Sequence, residues 1–476
     1  MRRFACVGAL ALAGCTVGPN FERPKPAAPA AYGTEPQDVT SRTYAGEVDT
    51  AWWKSFGDPE LTALVDRLGK QNLDLQSAAE RIGQARAQRT IAASLGLPHA
   101  GGRATYTHER ESANGTASLV EPAPGAPLEF DLYQPQVQAS WELDLFGKVR
   151  RAVEAASART QAEIEARNGI ALSAVAELAQ DYLMLRQLQA QDAVLRDNLA
   201  AARRRVGLTR DRFASGVATT LDVAQAEAQA TEIAQSLPSL RNQEAAMENA
   251  VAFLLAEPPR ALADELGRPA AQPPVPPAVP VGLPGELMRR RPDIRQAEAE
   301  LHAATADTGV AVANFFPSIS LGGNFGTESL HTGTIFDWAS RAFMLGPTVN
   351  IPFFQGGQLK GTLALRKSQQ RAAAIAYQQA VLRGWHDVDN ALTGYAEAQH
   401  ERDNAAATVA AERRALAAAE DQYASGVATQ LDVISAQGAL FQAEDGVVRA
   451  QAQVEIRLVT LYKALGGGWS YAATTP

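Results

Sequence analysis

One phrase occurs twice in this chain, as Phe213-Ala-Ser-Gly-Val-Ala-Thr-Thr-Leu-Asp-Val223 and as Tyr423-Ala-Ser-Gly-Val-Ala-Thr-Gln-Leu-Asp-Val433. An offset of about 210 residues is too long for a solenoid repeat and implies a duplicated, domain-sized unit. Each copy encodes a helical hairpin. Gly216 and Gly426 suit the left-handed residue that closes one helix. Thr219 with Asp222, and Thr429 with Asp432, match the capping box that opens the next, with Ala218/Val223 and Ala428/Val433 at the hydrophobic-staple positions.

Long helical stretches lead into both turns. Residues 147–215 and 357–425 are rich in Ala, Gln, Glu and Arg and contain no proline. At 1.5 Å per residue, each predicts a helix of roughly 100 Å. Shorter return helices are expected over 219–257 and 429–465, the first stopped by Pro258-Pro259 and the second by Gly466-Gly467-Gly468. Leu172, Val175, Leu178 and Tyr182 match Leu382, Trp385, Val388 and Leu392, a spacing that puts one apolar stripe on each long helix. An earlier helical pattern runs from Pro59 to Leu95, with Asp58 as its N-cap.

From Tyr133 to Leu145, Tyr133, Val137, Ala139, Trp141, Leu143 and Leu145 alternate with Gln134, Gln136, Gln138, Ser140, Glu142 and Asp144. This period of two predicts a strand long enough to cross a bilayer at a tilt. Weaker strand patterns cover about 102–109, 318–327 and 345–353, giving two strands per copy. The first copy carries an insertion between its strands, within Thr107 to Leu132, with a loop's composition.

The first residues read as a short secretory signal: Met1-Arg2-Arg3, an apolar run from Phe4 to Leu12, then Ala13-Gly14-Cys15. Leu12-Ala13-Gly14-Cys15 resembles the bacterial lipobox, which implies cleavage before Cys15 and a lipid anchor on it, N-acyl and S-diacylglycerol. Thr16, where an aspartate favours inner-membrane retention, implies delivery to the outer membrane. With Cys6 removed, Cys15 is the single mature cysteine and no intrachain disulfide forms. The chain divides into a signal peptide (1–14), a lipidated N-terminal tether and equatorial segment (15–58), a first repeat (59–257), a Pro-rich linker or equatorial stretch (258–283), a second repeat (284–465) and a tail (466–476).

Composition narrows the function. In 476 residues with 46% apolar content, no later run is long enough for a transmembrane helix, so any further crossing is by strands. A formal charge of -8, with no extended basic patch, argues against nucleic acid as a partner. The six histidines show no metal-ligand spacing. No P-loop, dinucleotide or G-x-S-x-G motif occurs, so no metal, cofactor or enzymatic activity is expected. Four membrane-length strands cannot close a barrel, and hydrocarbon does not tolerate open edges, so the chain must oligomerise.

Cys15-Thr-Val-Gly-Pro-Asn-Phe-Glu-Arg-Pro24, Leu283-Pro-Gly-Glu-Leu-Met-Arg-Arg-Arg-Pro-Asp-Ile-Arg-Gln-Ala-Glu298 and Leu461-Tyr-Lys-Ala-Leu-Gly-Gly-Gly-Trp469 resemble the TolC-like outer membrane factor lipoproteins, in their OprM/NodT branch. The resemblance implies an α+β membrane protein: a homotrimer whose twelve-stranded transmembrane β-barrel, four strands per chain, continues into a long periplasmic α-helical barrel with a mixed equatorial region. It implies the outer membrane exit duct of a tripartite efflux system, reached through a periplasmic adaptor from an inner-membrane pump of the RND type. A pore-free periplasmic scaffold lipoprotein is the rival reading.

The same resemblance assigns adaptor docking to the hairpin tips, here Ser215, Gly216, Val217 and Ala218, and Ser425, Gly426, Val427 and Ala428. Asp222 and Asp432, one turn inside, are expected to form acidic rings that narrow the pore. Related proteins carry a Leu, Asp and Arg gate on the second return helix. This chain keeps the leucine as Leu431 but has Ser435 and Gly438 at the other two positions, leaving Asp432 as the substitute.

Overall fold

A computed structural model describes residues 16–33, 39–112, 114 and 128–468. Cys15, the signal residues, Trp469 and most of the strand-to-strand insertion lie outside the described residues. The strands are β1 (Arg42–Tyr44), β2 (His99–Arg110), β3 (Glu129–Leu143), β4 (Ala278–Pro280), β5 (Ser318–Thr327) and β6 (Arg341–Asn350). The longer helices are α1 (Pro59–Gln71), α2 (Leu73–Ser94), α3 (Lys148–Ala214), α4 (Thr220–Leu254), α5 (Pro292–Ala313), α6 (Gln358–Ala424) and α7 (Gln430–Ala464).

The chain forms two compact units, 1–24 with 82–162 and 298–376, and 25–81 with 163–297 and 377–476. Neither coincides with a sequence repeat, because each unit is built from both copies. In the first unit this follows from strand pairing. Four antiparallel strands lie in the order β2-β3-β5-β6, so β3 of the first copy is bonded to β5 of the second.

The strand limits differ from the expected ones. β3 starts at Glu129 and stops at Leu143 rather than Leu145, since Asp144 turns to cap α3, its carboxylate accepting from the N–H groups of Val149 and Arg150 at 3.0 Å. β2 extends to both sides of 102–109, along the whole of β3's first twelve residues. β6 covers 341–350 rather than 345–353; its Pro347 is tolerated on an edge strand.

The described lead from Thr16 onward is pinned to the rest of the chain. In the first unit the Val17 N–H donates to the Phe146 carbonyl at 3.2 Å, and the Phe21 ring stacks on His302 at 4.4 Å. In the second unit the remaining lead supplies β1, which pairs in parallel with β4. The stretch 258–283 is therefore partly structured. A 3₁₀ turn at Trp52–Phe56 buries both tryptophans and the phenylalanine.

The expected helix from 59 to 95 is broken at Asn72, whose backbone is extended. Its buried side chain accepts from the Leu75 N–H at 3.0 Å and donates to the Leu254 carbonyl at 2.9 Å, so it caps α2 and ties it to the end of α4. The stripe on α3 is buried as spaced, but on α6 the buried positions are Val381, Gly384, Val388, Leu392 and Tyr395, and Leu382 is exposed. Gly384 explains the shift. A Cβ there would lie 3.2 Å from Ile294 Cδ1, so the close approach of the α5 start takes the place of a side chain.

Trp52 stacks on Tyr462 at 5.2 Å and donates its indole N–H to the Gly467 carbonyl at 3.2 Å. A Cβ on Gly468 would come within 2.8 Å of the indole nitrogen, so the triple glycine lets the end of α7 fold onto this ring. Trp52→Ala should destabilise the second unit by about 3–5 kcal/mol, read as a lower midpoint of thermal unfolding by circular dichroism. A midpoint within error of the parent would refute this packing.

Candidate functional site

Two features are candidates to carry function: the four-stranded sheet and the pair of helical tips. Among the described residues no helix is long and apolar enough to cross a membrane. The sheet has that capacity. Its register stacks Val137, Phe325 and Phe343 in one row and Trp141 beside Leu321 in another, all on one face. Gln136, Gln138, Asn324 and Thr348 occupy the other face, where the Asn324 amide donates to Gln136 at 2.6 Å. The apolar row is open to the surroundings, with Phe343 73% and Leu345 76% exposed. Ten-residue strands at about 3.4 Å per residue, tilted by about 40°, span the roughly 25 Å apolar band of an outer membrane barrel.

The tips are built by two capping devices in series. At the end of α3 the Gly216 N–H bonds the Phe213 carbonyl at 2.9 Å and the Val217 N–H bonds the Arg212 carbonyl at 2.9 Å, a Schellman closure with Gly216 at φ 78°. Gly426 repeats it at φ 76°, with the Val427 N–H on the Gln422 carbonyl. Three residues later the Thr219 N–H and hydroxyl both donate to Asp222 Oδ2 at 2.7 Å, while Thr219 Oγ1 accepts from the Asp222 N–H at 3.2 Å. Thr429 and Asp432 reproduce the box.

Asp222 and Asp432 thus cap their helices as the sequence boxes predict. The Thr219 backbone N–H and then its hydroxyl hold the Asp222 carboxyl below the usual carboxylate range, and the Thr429 hydroxyl and backbone do the same for Asp432. Leu431 and Ser435 are exposed on the same end of α7. Val433 is buried, but the staple does not extend to the apex: Val217 is 70% and Val427 79% exposed. Ser215, Gly216, Ser425 and Gly426 are exposed beside them, with Ala218 and Ala428 half-buried.

The contact between the two hairpins was missed in the sequence. Gln430 is buried at 3% exposure and donates to Thr209 Oγ1 at 3.1 Å and to the Asp222 carbonyl at 3.2 Å, while the Tyr423 hydroxyl donates to its Oε1 at 3.3 Å. The Arg212 guanidinium lies 4.8 Å over the Tyr423 ring, and Arg205 reaches Gln437 at 3.1 Å and Glu420 at 3.0 Å. A signal was present. Within the repeated phrase the copies differ only at Phe213/Tyr423 and Thr220/Gln430, and these two differences build the bridge.

The sequence profile of the family described as Outer membrane efflux protein matches residues 64–257 and 283–467. The chain belongs to the outer membrane efflux protein family. This efflux protein is 33% identical to the outer membrane protein OprJ of Pseudomonas aeruginosa, over 97% of this chain and 94% of OprJ. It is 31% identical to the pyoverdine export outer membrane protein OpmQ of Pseudomonas putida, over 90% of each chain. Its fold superposes on the solved outer-membrane channel OprN with a TM-score of 0.87, at 32% identity, covering 96% of this chain and all of that one. The efflux protein is accordingly an outer membrane channel, and its sheet is the part that meets lipid. Among the described residues no cluster of His, Cys, Asp or Glu is suited to a metal ion.

Because the folded pKa of each tip aspartate is depressed, its capping contribution is present above the unfolded value, about 3.9, and is lost as pH falls through the folded value. Limited proteolysis between pH 5 and pH 2 should show cleavage at residues 213–223 and 423–433 rising before the rest of the protein opens. In Thr219→Ala/Thr429→Ala the caps are weakened by about 1 kcal/mol each and the rise should begin at higher pH. An unchanged onset would show that the boxes do not hold the tips.

Proposed function

We propose that three copies of this chain close their twelve strands into one β-barrel and their helices into a periplasmic tunnel, forming the passive exit duct of a tripartite efflux assembly. The supporting observation is the tip geometry: two rigidly capped turns, fastened to each other through Gln430, that present Val217 and Val427 uncovered. Apolar side chains held this far into solvent by fixed backbone serve a partner better than they serve the chain. The partner is the helical end of a periplasmic adaptor, which Ser215 to Ala218 and Ser425 to Ala428 would contact, and through it an inner-membrane pump of the RND type. No step of bond chemistry belongs to the channel.

Acylation of Cys15 adds a lipid anchor in the same membrane as the barrel. Asp222, Leu431, Asp432 and Ser435 supply the narrowing at the periplasmic mouth; the carboxylates favour cations there as well as capping their helices. What passes is set by the pump. The export of pyoverdine attributed to OpmQ makes a siderophore-sized solute a reasonable first cargo to assay.

Purified full-length protein in planar bilayers should give discrete conductance steps, and a protein with no conductance would sink the channel reading. Asp432→Asn keeps a hydrogen-bonding side chain in the capping box while removing the charge. It should reduce preference for cations, and unaltered ion selectivity would remove Asp432 from the constriction. Gly216→Val and Gly426→Val force a branched residue into the left-handed region at a local cost of about 1–3 kcal/mol. They should weaken co-purification with a co-expressed adaptor while the trimer survives in detergent, because a Cβ at either position would meet nothing within 4 Å. Full adaptor recovery from both variants would place docking elsewhere.

A further inference from the structure

We infer that the acyl chains on Cys15 do not spread freely into the membrane but lie in a groove on the outward face of this chain's own sheet. The inference rests on Cys15 being acylated, as proposed above. The groove, about 860 Å³, runs along β3, β5 and β6 between Trp141 and Leu321 at one end and Phe325 and Phe343 at the other. Its walls are almost wholly apolar, and Ala139 and Gly323 form a floor with little side chain. A Cβ on Gly323 would lie 2.8 Å from the Met344 carbonyl oxygen, so the trough is set by the backbone and cannot be filled from there.

The described residues that follow Cys15 are held fast in the same unit as this groove. Arg151 is 3% exposed and holds the lead with three donations: to the carbonyls of Val17 at 3.2 Å and Gly18 at 3.4 Å, and to Asn20 Oδ1 at 2.6 Å. Gly18, at φ 91°, lies so close to Gly309 that a Cβ on it would be 2.5 Å from the Gly309 Cα. A Cβ on Gly309 would in turn press on Arg151 at 2.9 Å. Residues 16–20 therefore cannot shift without opening the first unit's packing.

A continuous path joins these residues to the groove. Thr16 packs on Gly147, where a Cβ would sit 2.8 Å from Thr16 Cγ2. Two residues on, Val149 faces Gly96, where a Cβ would sit 3.3 Å from Val149 Cγ1, and the Gly96 carbonyl accepts the Trp141 indole N–H at 2.9 Å. Trp141 and the adjoining Pro98 are the near wall of the groove. On this inference an acyl chain on Cys15 would follow these contacts to Pro98 and Trp141 and continue in the trough along the strands. Three acyl chains on one cysteine already anchor firmly; docking against the sheet makes them part of the barrel's surface as well.

The test uses the full-length protein in outer membranes from cells fed a palmitate bearing a terminal diazirine. Irradiation should join the acyl chain to peptides of β3, β5 and β6 on the same polypeptide, found by mass spectrometry in a product of monomer mass. Ala139→Phe fills the exposed floor of the trough and should abolish those cross-links while label incorporation and trimer remain. Cross-links to phospholipid alone, to a neighbouring copy, or to the groove undiminished by Ala139→Phe would each overturn the docking. Absence of label that is equal in the parent and in Cys15→Ala would instead overturn the acylation itself.

Discussion

The two unpaired edges of the sheet, β2 and β6, are the constraint on which the remaining structure depends. Each carries a row of backbone donors and acceptors across a surface whose outward side chains belong in hydrocarbon. Water can satisfy such an edge, but lipid cannot. Four strands have too little width to curl onto themselves, so pairing must come from further copies. Once the sheets are joined, every element that continues from them is repeated around the same axis, including both helical tips.

The repeated phrase made the hairpins legible because turn chemistry is local: a left-handed glycine and a Thr-x-x-Asp box specify the same hydrogen bonds in any surrounding. The long helices were equally plain, since proline-free, alanine-rich runs of that length have few alternatives. Strand limits were less so. Alternation continues through Asp144 and Leu145, but Asp144 is claimed by the start of α3, a competition visible only once both elements exist. The β1–β4 pairing was hidden because three-residue strands leave no periodicity to read.

Tertiary contacts account for the other departures. Asn72 looks like one more polar residue in a helical pattern until the Leu254 carbonyl beside it is known. Leu382 fits the apolar stripe inherited from the first copy, yet the neighbouring Gly384 lets α5 approach and rotates which positions are covered. Of the residues chosen for the tips, the sequence located the turn itself, while Gln430 and Tyr423 went unnoticed. Their importance lies in what they touch on the other hairpin, which no spacing within one copy encodes.

Those two residues also say something about how a duplicated chain ages. The turn chemistry is the same in both tips because each must close its own hairpin. The difference at Tyr423 and Gln430 is of another kind, for both residues engage features of the sibling copy: the Arg212 guanidinium, the Thr209 hydroxyl and the Asp222 carbonyl. The halves have become lock and key. A chain assembled from two first copies would form both turns and still leave those groups facing a phenylalanine and a threonine, so the duplication can no longer be undone by exchanging its parts.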